Sequence, residues 1–161
     1  MKYRRLDSSE LEEVQASFVR FLASHQITSQ DWEKLKADKT PKVDALIEQF
    51  SDLVFERVLS EVEYLEFKSP DDIKTFHCAA EKITLLGIQV SGESRLDFTQ
   101  TEAPELMLKQ LYESGAQLRL YAGEKAYSKA RNLELFDMME NGAKISKDGL
   151  LFKTLKALQP S

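Results

Sequence analysis

The chain has 161 residues, of which 42% are hydrophobic and 30% charged, and its formal net charge is −5. That length suits one domain, and the composition is that of a folded globular protein, which excludes the disordered and fibrous classes. The acidic balance argues against a general nucleic-acid binder, because such proteins present a strongly basic face to phosphates.

Cys78 is the only cysteine in the chain. An intrachain disulfide and a zinc site built from several thiolates are therefore impossible, which favours a reducing compartment. The opening segment MKYRRLDSSELEE lacks the apolar core of a signal peptide, and no apolar run is long enough to cross a bilayer. We expect a cytoplasmic protein that does not bind membranes.

Two amphipathic helices are predicted near the N-terminus. The first spans about 9–24, because Ser9 and Glu12 form a capping-box pattern and apolar residues then recur at three- and four-residue steps. Thr28 and Asp31 have the spacing that caps a second, shorter helix. Both helices are expected to turn an apolar stripe towards a core.

A long helix is predicted to begin at Thr40-Pro41, because proline suits a first helical turn whose N–H groups have no partners. Its apolar stripe continues for about 20 residues, or about 30 Å. The stripe consists of Val43, Leu46, Ile47, Phe50, Leu53, Val54, Val58 and Val62. Phe55 and Leu59 widen it, so we expect this helix to contact more than one neighbour and to pair with another chain.

Three short segments rich in aromatic and β-branched residues, 63–68, 74–78 and 83–90, predict an antiparallel meander. Gly87 in the third segment indicates a bulge or a close backbone approach. A helix over about 101–115 then precedes the segment AQLRLYA, which predicts one more strand. The inward-facing residues of that helix are predicted to be Leu108, Leu111 and Tyr112.

The C-terminal part is predicted to be helical. One helix starts with Ser128 as its cap and ends at Asn141-Gly142. Asp148 is placed to cap a last helix, although 147–149 has the alternative of turning a hairpin. The inward-facing residues are predicted to be Leu133, Phe136 and Met139 in the first of these helices, and Leu151, Leu155 and Leu158 in the last.

These elements predict an α+β fold, in which N-terminal helices pack on one face of a small antiparallel sheet of about four strands and C-terminal helices complete the core. We expect a single domain over 1–161. Within it, 1–62 is helical, 63–122 is rich in strands and contains one helix, and 123–161 is helical.

Three blocks of sequence, MKYRRL, FSDLVFERVLSEVEYLEF and AYSKARNLELFDMMENG, resemble an uncharacterised family of small bacterial proteins. The resemblance covers nearly the whole chain. It implies a single domain but no activity, because no catalytic or binding residues are established for that family.

No catalytic residue, metal site or cofactor is predicted. His77 and Cys78 are adjacent on a predicted strand, so their side chains point to opposite faces and cannot exchange a proton. The other histidine, His25, lies at the end of a helix far along the chain. Two histidines so placed do not indicate a metal centre.

Glu66 and Lys68 have the acid-x-lysine spacing found on one strand face of metal-dependent nucleases. A further acid would have to come from Asp52, on a helix, or from Asp71 or Asp72 in the following turn. A surface charge pair accounts better for this common tripeptide.

A candidate anion site comprises Arg119, Tyr121, Lys125, Lys129 and Arg131. If a helix starts at Ser128, its first turn carries cations where the macrodipole favours anions, and a bound phosphate would compensate. A helix that starts at Gly123 would remove this anomaly, and a solvated charged surface is the other interpretation.

The leading functional hypothesis is a non-enzymatic protein-interaction or regulatory module that self-associates through the long helix. A binder of a phosphate-bearing ligand or nucleotide is the alternative hypothesis. A metal-dependent hydrolase or nuclease using Glu66 and Lys68 is the third.

Overall fold

The computed structural model describes residues 1–91, 97–100, 103–114 and 117–159. The chain forms two compact units, Met1–Ser60 and Glu61–Ser161. Their division lies beside the boundary expected after residue 62, where the helical N-terminal part gives way to strands.

The first unit is helical, with α1 (Ser8–Glu13), α2 (Gln15–Ser24), α3 (Ser29–Ala37) and α4 (Pro41–Glu61). The predicted first helix is therefore in two pieces, separated at Val14. Its cap is Asp7 and not Ser9, because the Asp7 carboxylate accepts the Glu10 N–H and the Glu10 carboxylate accepts the Asp7 N–H.

The predicted starts of the next two helices are confirmed. Thr28 Oγ1 accepts the N–H of Asp31 at 3.1 Å, and the Asp31 carboxylate accepts the N–H of Thr28 at 3.1 Å. The long helix begins at Pro41, directly after Thr40. The core of this unit is a cluster of buried side chains, which are Leu6, Phe21, Leu22, Ile27, Leu46 and Phe50.

Two residues of the predicted α4 stripe face solvent. Leu53 is 55% exposed and Val58 is 40% exposed. At 3.6 residues per turn they lie about 140° apart around the helix, so they do not form one apolar face. The buried side includes Ser51, whose Oγ accepts the N–H of Leu6 at 2.9 Å and donates to the carbonyl of Ile47 at 2.7 Å.

The N-terminal segment is bound to α4. The Asp52 carboxylate accepts the N–H groups of Lys2 at 2.7 Å and Tyr3 at 2.9 Å. One turn further on, Glu56 accepts the Tyr3 hydroxyl and the Lys2 ammonium. The first residues of the chain are thus part of the folded first unit.

Among the residues that the structure describes, the second unit contains a five-stranded antiparallel sheet in the order β4-β3-β2-β1-β5. The strands are β1 (Tyr64–Ser69), β2 (Asp72–Cys78), β3 (Lys82–Ser91), β4 (Gln117–Ala126) and β5 (Lys144–Ser146). The expected α+β class is confirmed, with five strands in place of about four. The additional strand is β5, which pairs with β1.

Helices α5 (Pro104–Ser114), α6 (Arg131–Glu140) and α7 (Leu150–Leu158) complete this unit. One face of the sheet, here called the core face, packs against α7 and Met107 of α5. Its buried cluster consists of Ile73, Leu86, Ile88, Val90, Phe98, Met107, Leu151, Phe152 and Leu155. The predicted inward side chains Leu108, Leu111 and Tyr112 lie outside the part that the structure describes.

The last segment is a helix and not a hairpin. Asp148 accepts the N–H of Leu150 at 3.1 Å at the start of α7. Leu151 and Leu155 are buried as predicted, whereas Leu158 is 41% exposed because α7 ends at that residue.

The opposite face of the sheet, here called the open face, carries the other set of alternating side chains. On β2 these are Asp72, Lys74, Phe76 and Cys78. Helix α6 lies over part of this face and buries Leu135 completely, at 0% exposure. The residues predicted to face inward, Leu133, Phe136 and Met139, are half-buried. The predicted end of this helix is confirmed, with Asn141 as its last cap.

Candidate functional site

The open face is built around a close approach between β3 and a tyrosine of β4. Tyr121 lies opposite Gly87, and its ring covers the glycine so closely that a Cβ there would be 2.1 Å from a ring carbon. The expectation that Gly87 marks a close approach is therefore confirmed. The phenol reaches across β3 and donates its hydrogen to the Asp72 carboxylate on β2.

Asp72 is the centre of a buried polar network. It is 9% exposed, and its other oxygen accepts the ammonium of Lys74. The hydrogen bond to Asp72 raises the pKa of Lys74, and burial, assisted by the hydrogen bond to Asp72, raises the pKa of Tyr121. Both side chains therefore keep their protons at neutral pH and act as hydrogen-bond donors to Asp72.

A pocket of about 360 Å³ lies between α6 and the open face. We call it the α6 pocket. Its floor is formed by the half-buried rings of Phe67 and Phe76, which project from adjacent strands. The lining residues are Phe67, Lys74, Phe76, Ser128, Lys129, Glu134, Asp137, Met138, Asn141 and Ala143. An apolar floor thus meets a rim of charged and polar groups.

The rim ions are paired with one another. Lys125 Nζ lies 2.7 Å from a carboxylate oxygen of Glu134, and the N–H of Ser128 donates to the other oxygen at 2.8 Å. Burial alone would raise the pKa of Glu134, but these hydrogen bonds outweigh it and hold the pKa below its usual value. Lys129 pairs in the same way with Asp137.

Arg131, in the first turn of α6, connects separate segments of the backbone. Its guanidinium donates to the backbone carbonyls of Ala79 at 3.2 Å and Cys78 at 3.0 Å, and to that of Val62. These acceptors lie just after the long helix and at the end of β2. Arg131 therefore ties three segments together and is not among the residues that line the α6 pocket.

The structure brings some of the sequence-predicted anion site together. Arg119, Tyr121 and Lys125 are alternate residues on the open face of β4, and Lys129 lines the pocket beside that face. At about 3.3 Å per residue, Arg119 and Lys125 are about 20 Å apart, too far for one phosphate. Arg131 is directed to the carbonyls described above.

The anion site was predicted from a helix that starts at Ser128 and carries cations in its first turn, and the structure does not have that helix start. Helix α6 begins at Arg131 and not at Ser128, and Lys125 belongs to β4. Glu134 consequently falls in the first turn, where the macrodipole favours an acid, and Lys129 lies outside the helix. Anion binding at these residues stays a prediction, but the position of the helix start no longer supports it.

The His77 and Cys78 side chains point to opposite faces, as expected. His77 packs against Tyr64 and Phe152 on the core face, with ring centroids 5.1 and 5.8 Å away. Cys78 is 4% exposed, and burial raises the pKa of its thiol to about 12. The thiol is therefore protonated, and the adjacent His77 cannot act as its base because the two side chains lie on opposite faces of the sheet.

The acids of the hydrolase hypothesis do not converge. Glu66 and Lys68 lie opposite Thr75 and Ile73, which places them on the core face, whereas Asp72 is on the open face. Asp52 belongs to the first unit, where its carboxylate accepts the N–H groups of Lys2 and Tyr3. Within the described ranges, no three His, Cys, Asp or Glu side chains are grouped to hold a metal ion.

Sequence reasoning missed the network of Asp72, Lys74 and Tyr121 and the aromatic floor. A signal existed in DIKTFHC, where Asp72, Lys74 and Phe76 alternate and so share one strand face. What the sequence did not indicate is that Tyr121, on a strand distant in sequence, completes the network.

Among the residues that the structure describes, no helix is both long and apolar enough to cross a membrane.

Comparisons with known proteins establish the family of the chain. No curated protein and no solved structure matches the chain. The sequence profile of a family of unknown function, DUF6495, matches residues 1–159. The chain therefore belongs to DUF6495, which accords with the whole-chain resemblance seen in its sequence.

Proposed function

We propose that this protein is a non-enzymatic binding module, and that the α6 pocket holds a small ligand with a compact apolar part. The observation that carries the proposal is the pocket floor, where the rings of Phe67 and Phe76 are only half-buried. An apolar pocket of about 360 Å³ with a few polar groups at its rim has the usual form of a small-ligand site.

Apolar burial would supply most of the affinity. A ligand ring that removes about 100 Å² of apolar surface from water gains about 2.5 kcal/mol. The cations at and beside the rim, Lys74, Lys125 and Lys129, are each paired with a carboxylate. An anionic ligand would have to compete with these carboxylates, which favours a ligand recognised mainly by its apolar part.

The protonation states of the candidate nucleophiles support a non-enzymatic role. A catalytic thiol, amine or phenol is usually activated by a lowered pKa. The pKa of Cys78 is raised by burial to about 12. The pKa of Lys74 is raised by its hydrogen bond to Asp72, and that of Tyr121 by burial. The free, buried thiol also accords with the reducing cytoplasm that we propose as the compartment.

Ligand-observed NMR with benzyl alcohol, benzoate, phenyl phosphate and inorganic phosphate tests the proposal. We expect the three aromatic probes to bind with comparable affinities, on the order of millimolar for such small ligands, and inorganic phosphate not to bind. Phe76→Leu should weaken aromatic binding, whereas the matched control Phe55→Leu, in the first unit, should leave it unchanged. Failure of every aromatic probe to bind would refute the proposal.

The same panel distinguishes the other sites. Binding of both phosphate probes but not of benzyl alcohol would instead support anion binding at one end of the sequence-predicted site, near Lys125 and Lys129. The first unit has a smaller pocket of about 220 Å³ beside Trp32. Binding there would change tryptophan fluorescence and would persist in the Phe76→Leu variant.

A further inference from the structure

One edge of the sheet is an uninterrupted strand. In the described structure β4 pairs only with β3, and every residue from Gln117 to Ala126 has a partner in register, without a bulge or a proline. Proteins usually blunt long edge strands with such devices, because the outward N–H and C=O groups pair readily with another strand. The opposite edge, β5, has only three residues.

The side chains of this edge are mainly apolar on the core face, where Glu124 is the exception, and include the cations Arg119 and Lys125 on the open face. Leu118, Leu120 and Ala122 lie on the core face, opposite Val90, Ile88 and Leu86. Leu118 is 44% exposed, although it belongs to a strand that borders the core. On the open face, Arg119 is exposed, and the described residues offer it no hydrogen bond or ion pair.

We propose that β4 pairs antiparallel with β4 of a second copy of this chain, about a two-fold axis perpendicular to the sheet. The two sheets then form one continuous sheet, and the edge strand of each is covered. None of the residues that line the α6 pocket belongs to β4, so this interface is separate from the proposed ligand site.

The side chains select one register. The two-fold axis keeps the faces matched, so residues directly opposite must come from the same face of β4. The register centred on Leu120 places Leu120 opposite its own copy and Leu118 opposite Ala122. It also places Arg119 opposite Tyr121, so that no like charges face each other there.

The neighbouring registers are less favourable. Centring the pair on Ala122 places Arg119 opposite Lys125, and like charges directly opposite are destabilising. Centring it on Tyr121 places Leu118 opposite Glu124, which sets an apolar side chain against a carboxylate that already pairs with Lys82. Centring it on Arg119 sets two guanidinium groups directly opposite each other. Of these registers, the one centred on Leu120 groups the apolar residues without such a conflict.

Sedimentation velocity of the full chain and of two variants tests the surface. We expect the wild type to form dimers at about 100 µM and Leu118→Lys to weaken the dimer at least about tenfold. The matched control is Val19→Lys, which changes a residue 51% exposed in the first unit and should leave the dimer unchanged. Far-UV circular dichroism verifies that each variant is folded. A monomeric wild type, or equal dimerisation of Leu118→Lys, would overturn the proposal.

Cysteine cross-linking tests the register. Under mild oxidation Leu120→Cys should form a disulfide-linked dimer, because residue 120 meets its own copy. Leu118→Cys alone should not, but a mixture with Ala122→Cys should. The wild type is a built-in control, since Cys78 is only 4% exposed. Cross-linking of Tyr121→Cys in preference to Leu120→Cys would contradict the register, and cross-linking at none of these positions would contradict the interface.

Discussion

Replacing Gly87 by alanine is expected to destabilise the second unit, and the effect should depend on Tyr121. A Cβ at residue 87 would lie 2.1–2.5 Å from three atoms of the Tyr121 side chain, so the ring has to move. Its hydroxyl then leaves Asp72, and a hydrogen bond to a charged group contributes about 1.5–3 kcal/mol. Alanine in place of glycine within a strand gains about 0.5–1 kcal/mol. The net loss should be about 1–2 kcal/mol.

A double-mutant cycle isolates this clash. In a Tyr121→Ala background the ring is absent, so Gly87→Ala should stabilise the protein by about 0.5–1 kcal/mol, and the coupling energy between the two positions should be about 2 kcal/mol. Urea unfolding followed by far-UV circular dichroism measures the free energies. The fluorescence of Trp32, the only tryptophan, serves as a control because it reports the first unit. An equal cost of Gly87→Ala in both backgrounds would refute the reasoning.

Two further predictions concern buried and paired charges. Arg131→Ala should lower the free energy of unfolding by about 2–4 kcal/mol, because three backbone carbonyls lose a charged donor. Arg131→Lys should recover less than half of that loss, since one ammonium cannot reach all three carbonyls. Full recovery by Arg131→Lys, measured by urea unfolding, would contradict this geometry. In the first unit, the hydrogen bond from Arg4 lowers the pKa of Glu10 to about 2. Because this pKa is below the unfolded value, the stabilisation is present above about pH 4.5 and is lost as the pH falls towards 2. Urea unfolding at several pH values, followed by Trp32 fluorescence, should show this loss in the wild type. The free energy of unfolding of Glu10→Gln should depend less on pH, and the same pH dependence in both proteins would argue against the prediction.

The features that were predictable from the sequence depend on neighbours in the chain. Thr28 and Asp31 cap α3 through bonds between residues three apart, and the ring of Pro41 suits the first turn of α4. The three strands of the meander follow one another with short turns. Local physical chemistry decides such features, and a single sequence contains it.

The features that were missed depend on partners distant in sequence. Strand β5 has only three residues and exists because it pairs with β1. Ser128 looks like a better helix cap than Ala130, but the helix starts at Arg131, and Glu134 of its first turn binds the N–H of Ser128. The carboxylates that neutralise Lys125 and Lys129 likewise become neighbours only through folding, so the apparent excess of positive charge disappears.

The binding of the N-terminus to α4 has a consequence for synthesis on the ribosome. The N–H of Lys2 reaches a carboxylate 50 residues away, and that of Leu6 reaches a hydroxyl 45 residues away. At about 5–20 residues per second, the ribosome needs about 2.5–10 s to extend the chain from Lys2 to Asp52. The segment around Lys2 therefore waits for seconds before the helix that receives it has been translated.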